Sequence, residues 1–219
     1  MYSWYLSLQF KFNRILYYSL EPRIKIKMNK LRLALSAIRL LPHIFLFNFH
    51  SDKKTIEYDT ERWLKITGIG KPLQFGFIHL MTFLPEYRNL FYNRIGKYYL
   101  LINWLCPKMK TLYIHTNNIG PGLFIQHGLG TIIAAKSIGK NCWINQQVTI
   151  GYIKKDCPEL GDNVRISAGA KILGGIKMGD NSTAGANAVV VKNVPANCTV
   201  VGVPAYIIRK NGLKVREEL

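Results

Sequence analysis

The sequence predicts a mainly β protein, a parallel β-helix preceded by a small α-helical section. Three observations predict it: an aliphatic residue recurring every six positions through the back half of the 219-residue chain, Gly, Asn or Asp at the turns between them, and the absence of both features before residue 111. The beat runs Ile119, Ile125, Ile132, Ile138, Ile144, Ile150, Leu160, Ile166, Ile172, Met178, Ala184 and Val190. One step takes seven residues, Ile125 to Ile132, and one takes ten, Ile150 to Leu160, where Tyr152 to Glu159 reads as an extruded loop. Each hexapeptide supplies one short strand and one tight turn, so stacked repeats make a solenoid with the aliphatic residue in its bore. Gly, Asn and Asp tolerate the left-handed backbone that such corners require. One hexapeptide match is common in β-rich chains, but a dozen in phase point to a solenoid.

The first hundred residues lack the hexad and read as helical and aromatic. Residues 1–27 read as an N-terminal extension, with Met28 as an alternative start. Residues 28–110 form the helical region, 111–209 the β-helix and 210–219 a tail of mixed charge. From Met28, helical spacing places Leu31, Leu35, Ile38 and Leu41 on one face and Arg32, Ser36, Arg39 and His43 on the other, with Pro42 ending or kinking the helix. That apolar face has two available fates, packing on its own domain or lying on an anionic membrane. Asp59 to Trp63 and Pro85 to Tyr92 resemble helix N-termini, with acidic residues in the first turn.

A net charge of +18 predicts attraction to an anionic surface: phospholipid headgroups, nucleic acid, or a phosphorylated or acidic substrate. The four cysteines (Cys106, Cys142, Cys157, Cys198) form no CxxC and have no His partner at zinc-finger spacing, so no metal site is expected and a reduced, cytoplasmic compartment is. The apolar stretches Leu41 to Phe49, Phe75 to Leu84 and Tyr98 to Leu105 each fall short of the roughly 20 residues that span a bilayer. Arg32 and Arg39 interrupt the stretch that a signal peptide would need.

The motifs carry the reading further. Ile125-Gln126-His127-Gly128-Leu129-Gly130-Thr131 sits on the seven-residue step; Gln147 to Gly151, Ile166 to Gly174, Val194-Pro195 and Val201-Gly-Val-Pro-Ala205 follow in order. Together they resemble the serine acetyltransferase branch of the hexapeptide-repeat acyltransferases, over about residues 111–209. The resemblance implies a left-handed β-helix, a homotrimer, and acetyl-CoA lying in the crevice between neighbouring subunits.

His127 matches the family's catalytic histidine. An alcohol is a poor nucleophile until a base takes its proton, and an imidazole with an ordinary pKa near 6.5 suits that task. The resemblance implies direct transfer without an acyl-enzyme. It further implies that Gly151, Ala168 and Ala186 line the CoA channel and that Arg209 and Lys210 meet its phosphates. His115 also falls on a motif position, where a supporting role is expected; His43, His50 and His79 are assigned to packing or surface.

The acceptor end departs from the family. Gln126 stands where serine acetyltransferases have an aspartate, Tyr113 replaces the aspartate of their Asp-Ile-His motif, and Asp156-Cys157-Pro158 replaces an Arg-His-Pro sequence. Carboxylates that would pair with a substrate ammonium are lost, and a cation that would pair with its carboxylate becomes an anion. Tyr113, Gln126, Asp156 and Cys157 are therefore the candidate acceptor residues, and the expected acceptor is a sugar hydroxyl of a surface polysaccharide or its precursor, handled at the inner face of the membrane. Serine O-acetylation is the alternative. A non-catalytic basic scaffold or nucleic-acid binder is the third reading, but no nucleic-acid module is recognised and no nucleic-acid partner is expected.

Overall fold

The structure is a computed structural model that describes residues 32–219. The expected extension over 1–27, and Leu31, lie outside the described residues.

Six helices come first. Helix α1 is described over Arg32–Arg39 and α2 spans Leu41–Phe49, the two axes bent by 63°. Pro42 causes the break, because proline is accommodated in a helix's first turn and not in its interior. Helices α3 (Lys53–Thr67), α4 (Leu73–Phe83) and α5 (Pro85–Arg94) follow, then a 3₁₀ turn at Gly96–Tyr98 leading into α6 (Tyr99–Ile102). Phe47, Trp63, Phe77, Tyr87 and Phe91 fill the centre of this section. Their rings meet edge-on or tilted at centroid distances of 4.3–6.2 Å, the arrangement that π-quadrupoles favour.

Two sequence expectations need correction here. Pro85 does open a helix, but Asp59 lies in the middle of α3 and is buried. Its carboxylate is fixed by Arg94 instead of capping a helix. The second concerns the stripe of α1 and α2: of the two fates open to its apolar face, packing on its own section is not the one found, and the face expected to be polar turns inward. Ser36, Leu40, His43 and Phe47 are packed inward, while Leu35, Ile38, Leu41, Phe45 and Phe49 are exposed. His43 finds its partner inside, with Nε2 2.8 Å from the Tyr92 hydroxyl. Burial holds the His43 imidazole down at a pKa of about 4, and Arg39 adds to the effect.

The solenoid winds three parallel faces. The first holds β1 (Leu112–Ile114), β3 (Thr131–Ile133), β6 (Thr149–Gly151), β9 (Lys171–Leu173) and β12 (Val189–Val190). The second holds β4 (Ser137–Ile138), β7 (Glu159–Leu160) and β10 (Lys177–Met178). The third holds β2 (Phe124–Ile125), β5 (Trp143–Ile144), β8 (Arg165–Ile166), β11 (Thr183–Ala184) and β13 (Cys198–Val201). One inward residue per strand stacks into a column: Ile125, Ile144, Ile166, Ala184 and Val200 on the third face, and Ile133, Ile150, Ile172 and Val190 on the first. Every member is buried, which matches the aliphatic beat with one exception. Ile132 is 40% exposed and Ile133 takes its place.

Asparagines build one corner. Asn141, Asn163, Asn181 and Asn197 all adopt φ between 56° and 58°, and Asn163, Asn181 and Asn197 pass a hydrogen bond from amide to amide at 3.0–3.1 Å. The chain end also differs from expectation. The parallel strands stop at Val201, and β14 (Tyr206–Lys210) with β15 (Leu213–Glu218) forms an antiparallel hairpin on the third face, so the boundary expected at 209/210 falls inside that hairpin.

A buried clasp joins the two sections. Arg94 Nε donates to Asp59 Oδ2 at 2.8 Å, and its other nitrogens reach the Ile119 and Gly120 carbonyls, while the Gly122 N–H donates to Asp59 Oδ1. Trp63 Nε1 adds a bond to the Leu123 carbonyl at 2.9 Å, so α3 and α5 are tied to the first coil.

Candidate active site

His127 stands on the corner between the third and first faces. In the later coils that corner takes six residues from one inward aliphatic to the next: Ile144 to Ile150, Ile166 to Ile172, Ala184 to Val190. In the first coil it runs from Ile125 to Ile133, two residues longer. Gly130 (φ 63°) takes the left-handed position that Gln147, Gly169 and Asn187 take in the later corners, and the lengthened corner adds a second left-handed residue, His127 (φ 54°), whose side chain is exposed. The same surplus explains why Ile132, not Ile133, keeps the sequence beat yet lies outside the bore.

Below His127 the corners stack. Gln147 N–H donates to the Leu129 carbonyl at 2.9 Å, Gly169 N–H to Gln146 at 3.0 Å, and Asn187 N–H to Ala168 at 2.9 Å. Leu129, Gln146, Ala168 and Ala186 therefore form one column, and the Gly202-Val203-Pro204-Ala205 turn continues it past β13. Ala168 is half-buried and Ala186 exposed, so beyond Leu129 and Gln146 the column presents only small side chains.

Glu86, in the first turn of α5, reaches the same corner. Its Oε1 accepts the Gly128 N–H at 3.2 Å. A Cβ added at Gly128 would lie 2.9 Å from Leu112 Cδ2 and 3.1 Å from Glu86 Cγ, so glycine is what lets the helix carboxylate approach. The sequence offered a signal for Glu86, an acid following Pro85 at a helix start, but it read as dipole complementation.

The predicted acceptor residues divide. Gln126 lies beside His127, and its Oε1 accepts Trp143 Nε1–H at 3.2 Å. Tyr113, on β1, stacks on His115 with ring centroids 6.2 Å apart and planes 9° apart. Both rings line a cavity of about 370 Å³ between the first face and the helical section, with Asn89, Asn93 and Lys110. A cavity of about 640 Å³ between α3 and the third face is lined by Tyr58, Arg62 and Trp143, and meets the site only through Trp143.

Asp156 and Cys157 lie elsewhere. They sit in the loop between β6 and β7, at the corner joining the first and second faces, so the strands of the first face separate them from His127. Gly151 is at that same far edge, at the end of β6. A Cβ there would make only ordinary contacts at 3.8 Å, so nothing within this chain requires the glycine. Arg209 and Lys210 are likewise distant from the His127 column. They pair with Thr199 and Cys198 at the start of β13, the end opposite the Gly202 turn, and Lys210 Nζ is bound to Glu217 Oε2 at 2.8 Å. Among the described residues no group of three or more His, Cys, Asp or Glu is placed to hold a metal ion.

Comparison with known proteins places this geometry in context. The serine acetyltransferase of Staphylococcus aureus (strain Mu50) is 47% identical over 102 residues, covering 44% of this chain and 48% of that protein. The chain thus spans about half the length of the curated relatives it matches. A crystal structure of Neisseria gonorrhoeae serine acetyltransferase in complex with serine superposes with a TM-score of 0.60 at 28% identity, over 81% of this chain and 82% of that one. A serine acetyltransferase complex with CoA gives 0.61 at 26% identity, over 74% of this chain and 72% of that one. No family model matches the chain.

Proposed function

We propose that this chain, serine acetyltransferase-like in sequence and in its hexapeptide-repeat fold, is an acetyl-CoA-dependent O-acetyltransferase with His127 as general base. The observation that carries the reading is the lengthened corner: the one coil with surplus residues between the third and first faces uses them to expose a histidine above a column that ends in the small side chains of Ala168 and Ala186. Ala168 and Ala186 leave room there for an extended pantetheine arm. The His127 imidazole takes the proton of the acceptor hydroxyl as its oxygen attacks the thioester carbonyl. The tetrahedral oxyanion collapses, the C–S bond breaks, and the CoA sulfur leaves with the proton that the imidazolium returns. No acyl-enzyme is required.

The site is completed by a second copy of the chain in a homotrimer. His127, Ala168 and Ala186 occupy one edge of the first face, whereas Gly151, Asp156 and Cys157 occupy the other. A neighbour presenting its second edge to the first edge of this copy unites the two sets. This explains a glycine at 151 that its own chain does not need. Arg209 and Lys210 meet CoA phosphates only if a neighbouring copy carries them there.

For the acceptor, the relatives favour L-serine over the polysaccharide hydroxyl expected from charge and motif departures. Glu86 supports that choice, because it returns to this corner the carboxylate that an ammonium needs after Gln126 and Tyr113 have replaced two others. A sugar hydroxyl is the second reading, favoured by the engagement of Gln126 with Trp143 and of Tyr113 with His115. Thiol release from acetyl-CoA, measured with L-serine and in parallel with a panel of sugars, tests both. Release with serine at millimolar concentration supports the first; release with glycans alone selects the second; release with neither overturns the acetyltransferase reading.

A further inference from the structure

We infer that α1, α2 and the turn around α6 form a face that docks peripherally on an anionic lipid surface. Among the described residues the helical pair carries an apolar stripe without a partner: Leu35 and Ile38 on α1, then Leu41, Phe45 and Phe49 at four-residue spacing on α2. Ile38 is 68% exposed and Phe49 74%, while their neighbours Leu40 and Phe47 are fully buried. The inward face is therefore already satisfied, and the outward stripe contributes nothing to the domain's own core.

The stripe continues beyond one helix. His50, at the end of α2, packs edge-on against Tyr98 at 5.7 Å, and the exposed Leu100, Leu101 and Trp104 follow Tyr98 in sequence. Gln74 donates to Asn48 of α2 at 2.8 Å, and the exposed Phe75 of α4 is its neighbour in sequence. Isolated exposed apolar residues need no explanation, but a stripe of this length that includes Trp and three Phe does.

Charge selects the occupant. Arg32 and Arg39 are exposed along one edge of the α1 stripe, and Lys97 is exposed in the 3₁₀ turn that leads into α6. Basic side chains flanking an aromatic and aliphatic face are what an anionic bilayer interface attracts, with Trp at headgroup depth. A second copy packed through this same face would set its exposed Arg32 and Arg39 beside those of the first. Among the described residues no single helix is long and apolar enough to cross a membrane. The 63° bend at Pro42 instead suits α1 and α2 to lying in the interfacial plane.

Vesicle flotation of the full chain tests this, using phosphatidylcholine alone and phosphatidylcholine with phosphatidylglycerol. The expected result is flotation with the anionic vesicles only, weakened by salt, and reduced at least about tenfold in Ile38→Glu/Phe45→Glu and in Arg32→Ser/Arg39→Ser. Both pairs are surface changes, and circular dichroism of each variant verifies the fold. Failure of the wild type to float would overturn the inference, as would flotation unchanged in the Ile38→Glu/Phe45→Glu variant. A larger oligomer that this variant dissociates, without lipid binding, would assign the face to a second copy. An apolar dye that binds no more to the wild type than to the variant, again without flotation, would assign it to residues 1–31.

Discussion

The Glu86 carboxylate accepts the Gly128 N–H at 3.2 Å, and this bond joins the helical section to the residue that follows His127. Its oxygen thus fixes the backbone of the lengthened corner, while its charge is available to an acceptor ammonium. The two roles separate by substitution. Glu86→Gln keeps an acceptor for Gly128 and removes the charge, so KM for L-serine rises about tenfold with kcat within about threefold. Glu86→Ala removes both and lowers kcat as well. A wild-type KM for L-serine in Glu86→Gln, with losses only in Glu86→Ala, would leave only the structural role.

Replacing His127 removes the proposed base and leaves the corner in place, because the side chain is exposed and its neighbours hold the corner through the backbone. His127→Ala is expected to lower turnover at least about 10²-fold with the oligomer unchanged in light scattering.

The Asp59–Arg94 clasp is a stability element. Both side chains are buried, and Arg94 also serves two carbonyls of the first coil. Asp59→Ala strands the guanidinium in the interior, so denaturant unfolding should show a loss of about 3–5 kcal/mol. Lys136–Glu159 is solvent-screened, and Lys136→Ala is expected to leave the denaturant midpoint nearly unchanged.

Of these features, the bore of the solenoid was legible in sequence because inward positions tolerate only aliphatic or small residues, and that constraint writes itself as a period. The surplus at His127 was visible as a single irregular step. Which of Ile132 and Ile133 turned inward was not, since both are equally apolar and the pairing with Ile150 decides. Which of its two fates the apolar face of α1 takes was not legible either. The polar Ser36 of α1 and His43 of α2 are buried among the helices, and amphipathicity alone does not encode that. Glu86 and Asp59 act across more than forty residues of sequence, a separation that local pattern does not encode.

Acid sensitivity should trace to His43. Its folded pKa of about 4 lies below the ordinary value of 6.5, so the unfolded chain takes up the proton first. The stabilising difference is complete above pH 6.5 and is lost as pH falls towards 4. Thermal melts from pH 7 to 4 are expected to show a declining Tm, with a shallower decline in His43→Gln.

Cys157 is expected to be dispensable for chemistry. It is half-buried in the loop, whereas Cys106, Cys142 and Cys198 are buried, and burial pushes the Cys142 thiol up to about 11. Mass spectrometry after brief iodoacetamide treatment should therefore find Cys157 alkylated first. Cys157→Ser should retain turnover within about threefold, since direct transfer needs no thiol nucleophile.

The most direct test of the shared site mixes copies. Co-expressed His127→Ala and Gly151→Trp chains, each inactive alone, form mixed trimers in which some interfaces pair an intact His127 corner with an intact Gly151 edge. The account predicts that thiol release from acetyl-CoA reappears in the mixture, to roughly a quarter of wild type if copies combine at random and each interface works independently. A mixture as inactive as its parents, with mixed trimers verified by mass, would contradict a site built from His127 of one copy and Gly151 of the next.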